Sequence, residues 1–307
     1  GASAHGAWAH VHVTGWAAET LTEGDLRDFL TEPDVMNAVL FGSAFTDSGY
    51  APGMAPVEED FKRRAHAYGE HTHWEPFIQD FVAWIRANDP PPWDDLESRK
   101  RVAFMMGCAA HGLQDEIFDS LFLLQMREHD SEGQDAADPA MDGFLSLDGH
   151  LRFAPKTYIP ADTLVELYEP LGEGVTEDDM KRAAKMMTSI YLNERTGHGI
   201  AESFGREYED QIPWAREHYL DPEVPGSLRS EILPTAAYFQ ALWDRVHGRF
   251  EHGSAVTHTF PASPRRLLGA VAGNPDSWVT MILGIGIKGR TGSVAWTERG
   301  GEAVPFA

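Results

Sequence analysis

The stretch Ala103-Phe-Met-Met-Gly-Cys-Ala-Ala-His-Gly-Leu-Gln-Asp-Glu-Ile-Phe-Asp-Ser-Leu-Phe-Leu-Leu124 decides how the rest of the chain is read. It is apolar over most of its length, yet it carries His111, Asp115 and Asp119. At about 100° per residue, steps of four keep these three within roughly 80° of one another on a single helical stripe. So apolar a helix belongs in a core, where a carboxylate is costly unless a cation or a metal neutralises it. Two readings meet that demand: a buried metal site, or a core helix whose polar seam is paired with other side chains.

Three further segments place hard or borderline ligands in apolar surroundings: Ala9-His-Val-His-Val-Thr-Gly-Trp16, Phe45-Thr-Asp-Ser-Gly-Tyr50 and His71-Thr-His-Trp-Glu-Pro-Phe77. Taken in order with the first stretch, they resemble the zinc-dependent phospholipase C superfamily, most closely the catalytic domain of the glycosylphosphatidylinositol-specific phospholipases D. That family places an early His in an S/T-H-x-x-I helix start and an Asp in F-P-D-x-x-Y. A His follows in T-H-W-x-P-F, and a His and an Asp in A-F-x-x-G-x-x-x-H-x-x-x-D. Carried over position by position, the resemblance makes His10, Asp47, His73, His111 and Asp115 metal ligands. Trp84-Ile-Arg ahead of Pro92-Trp93, Tyr158-Ile-Pro ahead of Leu164-Val-Glu-Leu-Tyr168, and Ile190-Tyr191 extend it to about residue 250.

The resemblance implies a mainly α fold, a multi-helix bundle of the phospholipase C and single-strand nuclease kind around a metal cluster. It also implies zinc, as two or three ions, which imidazole and carboxylate together suit. One metal is expected on Asp47, His73, His111 and Asp115, and a neighbour on His10 with Asp115 bridging. Asp47 is the expected catalytic group, orienting or deprotonating a water that attacks phosphorus. The chain departs from the pattern at the remaining metal position. Asp119, Gln134 and Asp138 stand where the family has a His, a His and an acid. Carboxylate in place of imidazole shifts preference toward calcium, magnesium or manganese, or abolishes that site. Asp119 and Asp138 are therefore carried as metal ligands, and Gln134 as a substrate contact beside Tyr50 and Trp74.

Gly1-Ala-Ser-Ala4 ends in the small-x-small pattern of a signal-peptidase cut, and cleavage after Ala4 would make His5 the first mature residue. By the resemblance, that terminus folds back as a further ligand near His10. Among the other histidines, His12 and His71 can each replace the neighbour two residues on or before, His129 can stand in at the divergent position, and His198 in Gly197-His-Gly199 reads as a loop residue.

The composition admits one large domain, or a large and a small one: 307 residues with 42% hydrophobic content supply ample core. The one cysteine, Cys108, excludes an intrachain disulfide framework. Residues 1–252 read as the helical metal domain and 253–307 as a β-rich extension or the start of a further β domain. Helices are expected over Leu26–Leu40, Glu75–Ala87, Met180–Asn193 and Leu228–Phe250. The segment Gly42–Asp47 is expected as a loop, and Glu128–Gly149 as a long functional one. Beyond Gly253, β-branched runs such as Trp278-Val-Thr-Met-Ile-Leu283, divided by glycines, predict strands.

A net charge of −23 argues against a nucleic-acid surface, which needs Lys and Arg to displace counterions. The expected function is that of a secreted or periplasmic metal-dependent phosphodiesterase. Its substrate is a phospholipid or a glycosylated phosphoinositide, cleaved in the phospholipase C or D sense, with peripheral membrane contact and no obligate protein partner. The alternatives are a noncatalytic lipid- or glycan-binding descendant and a hydrolase of other phosphoesters, nucleotides included.

Overall fold

The computed structural model describes residues 6–190, 192 and 194–249. These residues are mainly helical, and among them there is no strand. The chain runs through α1 (Ala7–Thr20), α2 (Asp25–Thr31), α3 (Pro33–Ser48), α4 (Glu59–Thr72), α5 (Glu75–Asn88) and α6 (Leu96–Ile117). It continues through α7 (Leu123–His129), α8 (Gln134–Leu147), α9 (Ala161–Tyr168), α10 (Glu177–Ile190), α11 (Glu194–Tyr208), α12 (Pro213–His218) and α13 (Ile232–Val246). The domain boundary at 252 and 253, the β-rich segment and His5 lie outside the described residues.

Local chemistry sets the helix starts. Asp95 caps α6 by accepting from the backbone N–H and the hydroxyl of Ser98, at 2.9 and 2.6 Å. Thr176 and Asp179 exchange the same kind of bonds at the head of α10, the hydroxyl of Thr176 donating to Asp179 at 2.6 Å and accepting from its N–H at 3.2 Å. Pro33 opens α3 and Pro76 sits in the first turn of α5, where no N–H is missed.

α1 and α6 lie in the middle. Trp8 to Gly15 are all buried in α1, as are Val102 to His111 in α6. A helix apolar on every side can only be a core helix. One large apolar cluster runs from Trp8 to Val246 and gathers Phe41, Phe45, Phe77, Phe104 and Phe239, while a second packs Phe118, Phe122, Met141 and Phe144 beneath α12. α13 is tied to α5 by a buried ion pair, Arg245 to Glu75 at 2.8 Å, with the Tyr238 hydroxyl donating to the same carboxylate at 2.6 Å.

The crossing of α3 and α6 brings Asp47 to the same place as His111 and Asp115. A Cβ on Gly107 would lie 2.1 Å from the Val39 carbonyl oxygen, and one on Gly42 2.3 Å from that of Phe104. Only hydrogen fits at these two points, so the backbones touch. Here the expected Gly42–Asp47 loop is corrected: the segment is the second half of α3, and Gly42 serves close approach rather than a turn.

The expected long loop at Glu128–Gly149 is corrected as well. Most of it is α8, whose buried Ala136, Ala137, Ala140, Met141, Phe144 and Leu145 form one apolar face. It crosses α11 at Gly143 and Gly205, where a Cβ on Gly143 would meet the Gly205 nitrogen at 2.3 Å. His198 is in α11 rather than in a loop, its ring edge-on to Trp8 at 5.0 Å. The stripe on the opening stretch is interrupted too: a π-turn, Phe118–Phe122, separates α6 from α7.

Candidate metal centre

Five of the expected ligands meet at one place. His10 comes from α1, Asp47 from the last turn of α3, His73 from the residue that ends α4, and His111 and Asp115 from adjacent turns of α6. His10 and His111 are fully buried, while Asp47, His73 and Asp115 keep a narrow exposure of 10 to 16%. The cluster therefore has a deep end and a mouth.

Each imidazole is turned by its Nδ1. That of His111 bonds the Ser43 carbonyl at 2.6 Å, that of His73 the Gly69 carbonyl at 2.7 Å, and that of His10 the Gln114 side-chain oxygen at 2.9 Å. An oxygen facing Nδ1 accepts a hydrogen bond from Nδ1–H, which keeps the proton on Nδ1 and leaves the Nε2 lone pair as the inward-facing donor. Glycines make these bonds reachable. A Cβ on Gly49 would meet Gly69 Cα at 2.7 Å, and one on Gly112 the His73 carbonyl at 2.6 Å, so α3, α4 and α6 approach to backbone contact around the site.

The Nε2 atoms and the two carboxylates then converge. His10 Nε2 lies 3.1 Å from Asp115 Oδ1, and His111 Nε2 lies 3.2 Å from Asp115 Oδ2 and 3.6 Å from Asp47 Oδ1. His73 Nε2 is 3.5 Å from Asp47 Oδ1, 3.8 Å from Asp115 Oδ2 and 3.2 Å from His111 Nε2. Ligand bonds of about 2.1 Å in a tetrahedron put donor atoms about 3.4 Å apart, so this spacing fits a zinc-sized ion. Among the described residues, two groups of three donors lie within 4.8 Å of one another: His10, Asp47 and His111, and His73, His111 and Asp115. Both could hold a metal ion, and both use His111.

Electrostatics points the same way. Burial opposes ionisation of Asp47 and Asp115, yet the facing imidazoles outweigh it and hold both carboxyls below their usual range, Asp115 well below. His73 is raised in spite of burial, by its bond to Asp47 and the charge of Asp115, while burial and the charge of His10 lower His111. The two carboxylates thus demand positive charge, and a proton on His73 and a metal ion compete for the same position.

At the mouth stand two of the three expected substrate contacts. Tyr50 tilts over the His73 ring at 5.5 Å, and its hydroxyl donates to Glu70 at 3.0 Å. The Trp74 indole N–H donates to the other Glu70 oxygen at 3.3 Å. Burial and the charge of Glu70 raise the Tyr50 pKa far above the ordinary tyrosine value, so the hydroxyl stays protonated. Gln114 and Glu70 are not marked by the sequence motifs. Their one signal is register: Gln114 lies between His111 and Asp115, and Glu70 one turn before His73 and Trp74.

The other expected residues fall elsewhere. Asp119 lies on the π-turn and Asp138 on α8; each has a carboxylate oxygen closed to solvent, and neither belongs to the two groups of three. Gln134 opens α8, and its side chain lies outside the described residues. His12 does not replace His10. Its Nδ1 bonds the Trp8 carbonyl at 2.8 Å, and its Nε2 accepts from the backbone N–H groups of Arg152 and Phe153 at 2.7 and 3.1 Å. His71 lies edge-on to Phe77 at 5.6 Å, and the exposed His129 stacks on Trp214 at 4.9 Å.

A buried histidine and carboxylate cluster of this kind, on a helical scaffold, could hold a metal ion. In sequence it is similar to phosphatidylinositol-glycan-specific phospholipase D. Identity with the Bos taurus protein is 33% over 141 residues, 42% of this chain and 16% of that one. With the Mus musculus protein it is 26% over 237 residues, 73% of this chain and 27% of that one. With the Rattus norvegicus protein it is 28% over 198 residues, 60% and 22% respectively. The chain thus spans little more than a quarter of the length of these relatives at most. No family model and no solved structure matches it.

Proposed function

We propose that the chain is a zinc-dependent phosphodiesterase that hydrolyses a phospholipid or a glycosylated phosphoinositide, a phospholipase of the C or D type acting outside the cytoplasm, secreted or periplasmic. One observation carries the reading: three imidazole Nε2 atoms and two carboxylates converge at 3.1 to 3.8 Å, each imidazole turned inward by a bond at Nδ1. The name of the relatives supports the substrate class. Contact with the lipid surface is proposed to be peripheral; none of the described helices is long and apolar enough to cross a membrane.

Zinc, which this donor set suits, supplies a polarising contact to a phosphoryl oxygen and lowers the pKa of water. The chain's own residues do the rest. Asp47 lies on the partly exposed side of the cluster with its carboxyl held ionised, and so can orient an attacking water and accept its proton. His10 and His111 form the closed floor, stacked at a centroid distance of 3.7 Å, which excludes bulk water from that side. Tyr50 and Trp74, both fixed by Glu70, flank the approach and present aromatic surface with polar edges to a headgroup.

The test is hydrolysis of a chromogenic phosphodiester, of phosphatidylinositol vesicles and of a glycosylphosphatidylinositol-anchored protein, with and without chelator, alongside elemental analysis. Chelator-sensitive release of headgroup or anchor is expected. Binding of the lipid without turnover would identify a noncatalytic descendant, and turnover of nucleotides alone a different phosphoesterase.

A further inference from the structure

His10 differs from the other two imidazoles in how it is held. His73 and His111 bond to backbone carbonyls, which cannot be removed by substitution and cannot turn. His10 bonds to a side chain, the amide oxygen of Gln114 at 2.9 Å. That amide is itself held: its nitrogen donates to the Thr14 hydroxyl at 3.0 Å. All three residues have no solvent exposure. His10 and Thr14 are one turn apart on α1, so the amide of Gln114, reaching across from α6, is gripped at both ends by one face of α1.

We infer that Gln114 and Thr14 are positioning residues for His10, a clamp that fixes the imidazole with Nδ1 protonated and Nε2 aimed at Asp115, and so sets the metal affinity at the deep end of the cluster. The clamp presupposes the metal binding proposed for the five-residue cluster. A buried amide with both ends bonded has one low-energy orientation, because a flip would put an N–H against the Nδ1 proton. The oxygen facing His10 also makes the imidazole a better donor, as polar partners of ligating histidines do. A neutral amide does this without adding a third negative charge to a cavity that already holds Asp47 and Asp115.

The test uses the whole chain, stripped with chelator and titrated with zinc against a chromophoric competitor, with Co²⁺ absorption reporting ligand geometry. Gln114→Leu, similar in size and apolar, is expected to weaken zinc binding by roughly 10- to 100-fold and to change the Co²⁺ spectrum, with helix content retained. Thr14→Val is expected to weaken it less in the native background and not at all in the Gln114→Leu background, since it acts through the amide. Gln114→Glu, which keeps an acceptor and adds charge, is expected to bind zinc at least as tightly as the native chain; it decides the matter if Gln114→Leu does not fold. Unchanged affinity and spectrum in folded Gln114→Leu would overturn the inference, as would weakened zinc binding in Gln114→Glu. An equal effect of Thr14→Val in both backgrounds would overturn the clamp. A native chain that binds no zinc would overturn the metal reading itself, a result separate from these.

Discussion

Gly107→Ala is the smallest change that should open the metal centre from a distance. Its Cβ would sit 2.1 Å from the Val39 carbonyl oxygen, 2.7 Å from the Ser43 nitrogen and 2.9 Å from Gly42 Cα. Carbon and oxygen in contact need roughly 3.2 Å or more, so α3 and α6 must separate by about 1 Å. All three obstacles are backbone atoms, which cannot swing aside as a side chain would. Overpacking costs about 1–3 kcal/mol, and about 2–3 where every obstacle is backbone, against which alanine regains about 1 kcal/mol of helix propensity. A net loss of about 1–2 kcal/mol is expected in urea denaturation of the metal-free chain. The loss should be greater with zinc present, because the displaced Ser43 is the residue whose carbonyl holds His111 and α3 carries Asp47. Gly199→Ala is the control. Its Cβ would meet nothing within 4 Å on an exposed face of α11, so a gain of about 0.5–1 kcal/mol is expected there. If Gly107→Ala proved as stable as the native chain, with unchanged zinc affinity, the close-approach reasoning would be refuted.

His111→Ala should lose bound zinc and lower the denaturation midpoint together, because it removes a shared donor and leaves Asp47 and Asp115 facing each other; elemental analysis and calorimetry check both. Asp47→Asn should keep the fold but cut phosphodiester turnover by orders of magnitude, read as kcat on a chromogenic substrate. Burial lowers the His12 pKa from 6.5 to about 4, so the folded chain favours the neutral ring. Its contribution to stability is full above pH 6.5 and is lost as the pH falls toward 4, by about 3 kcal/mol. A urea midpoint series from pH 7.5 to about 4 should show a fall that shrinks in His12→Asn. If Asp119 and Asp138 hold a harder cation, calcium or manganese should restore activity to chelated protein better than zinc alone, and Asp119→His should alter that preference.

The cluster is legible in the sequence because its ligand types are rare in apolar helices. His111 and Asp115 stand out four residues apart among Phe104, Met105, Ala109 and Leu113, and the other motifs follow in chain order. The misread segments share a physical source. Gly42 and Gly143 read locally as breakers, but each is a point where another helix touches the backbone, a fact that resides in the partner helix. The acidic run around α8 hides its apolar face in the same way: Asp135 is exposed, and the buried Asp142 is spent on α1, accepting from the backbone N–H groups of Trp8 and Ala9 at 3.2 and 2.8 Å. The π-turn leaves no mark in composition, so sequence spacing puts Asp119 in phase with Asp115 where the helix has already changed pitch. Gln114 is invisible as a partner of Thr14 because 100 residues separate them.

The burial of His10 and His111 also bears on time. Donors drawn from α1, α3, α6 and the end of α4 exist as a set only after those helices have met, so an ion is captured late in folding rather than used to start it. Held against the closed floor of His10 and His111, it would leave only past Asp47, His73 and Asp115 at the mouth, and its exchange rate would time how often those donors let go. Radioactive zinc chased with cold zinc should therefore release more slowly than from an open site, yet faster than amide exchange in the middle of α6, which needs the helices to part.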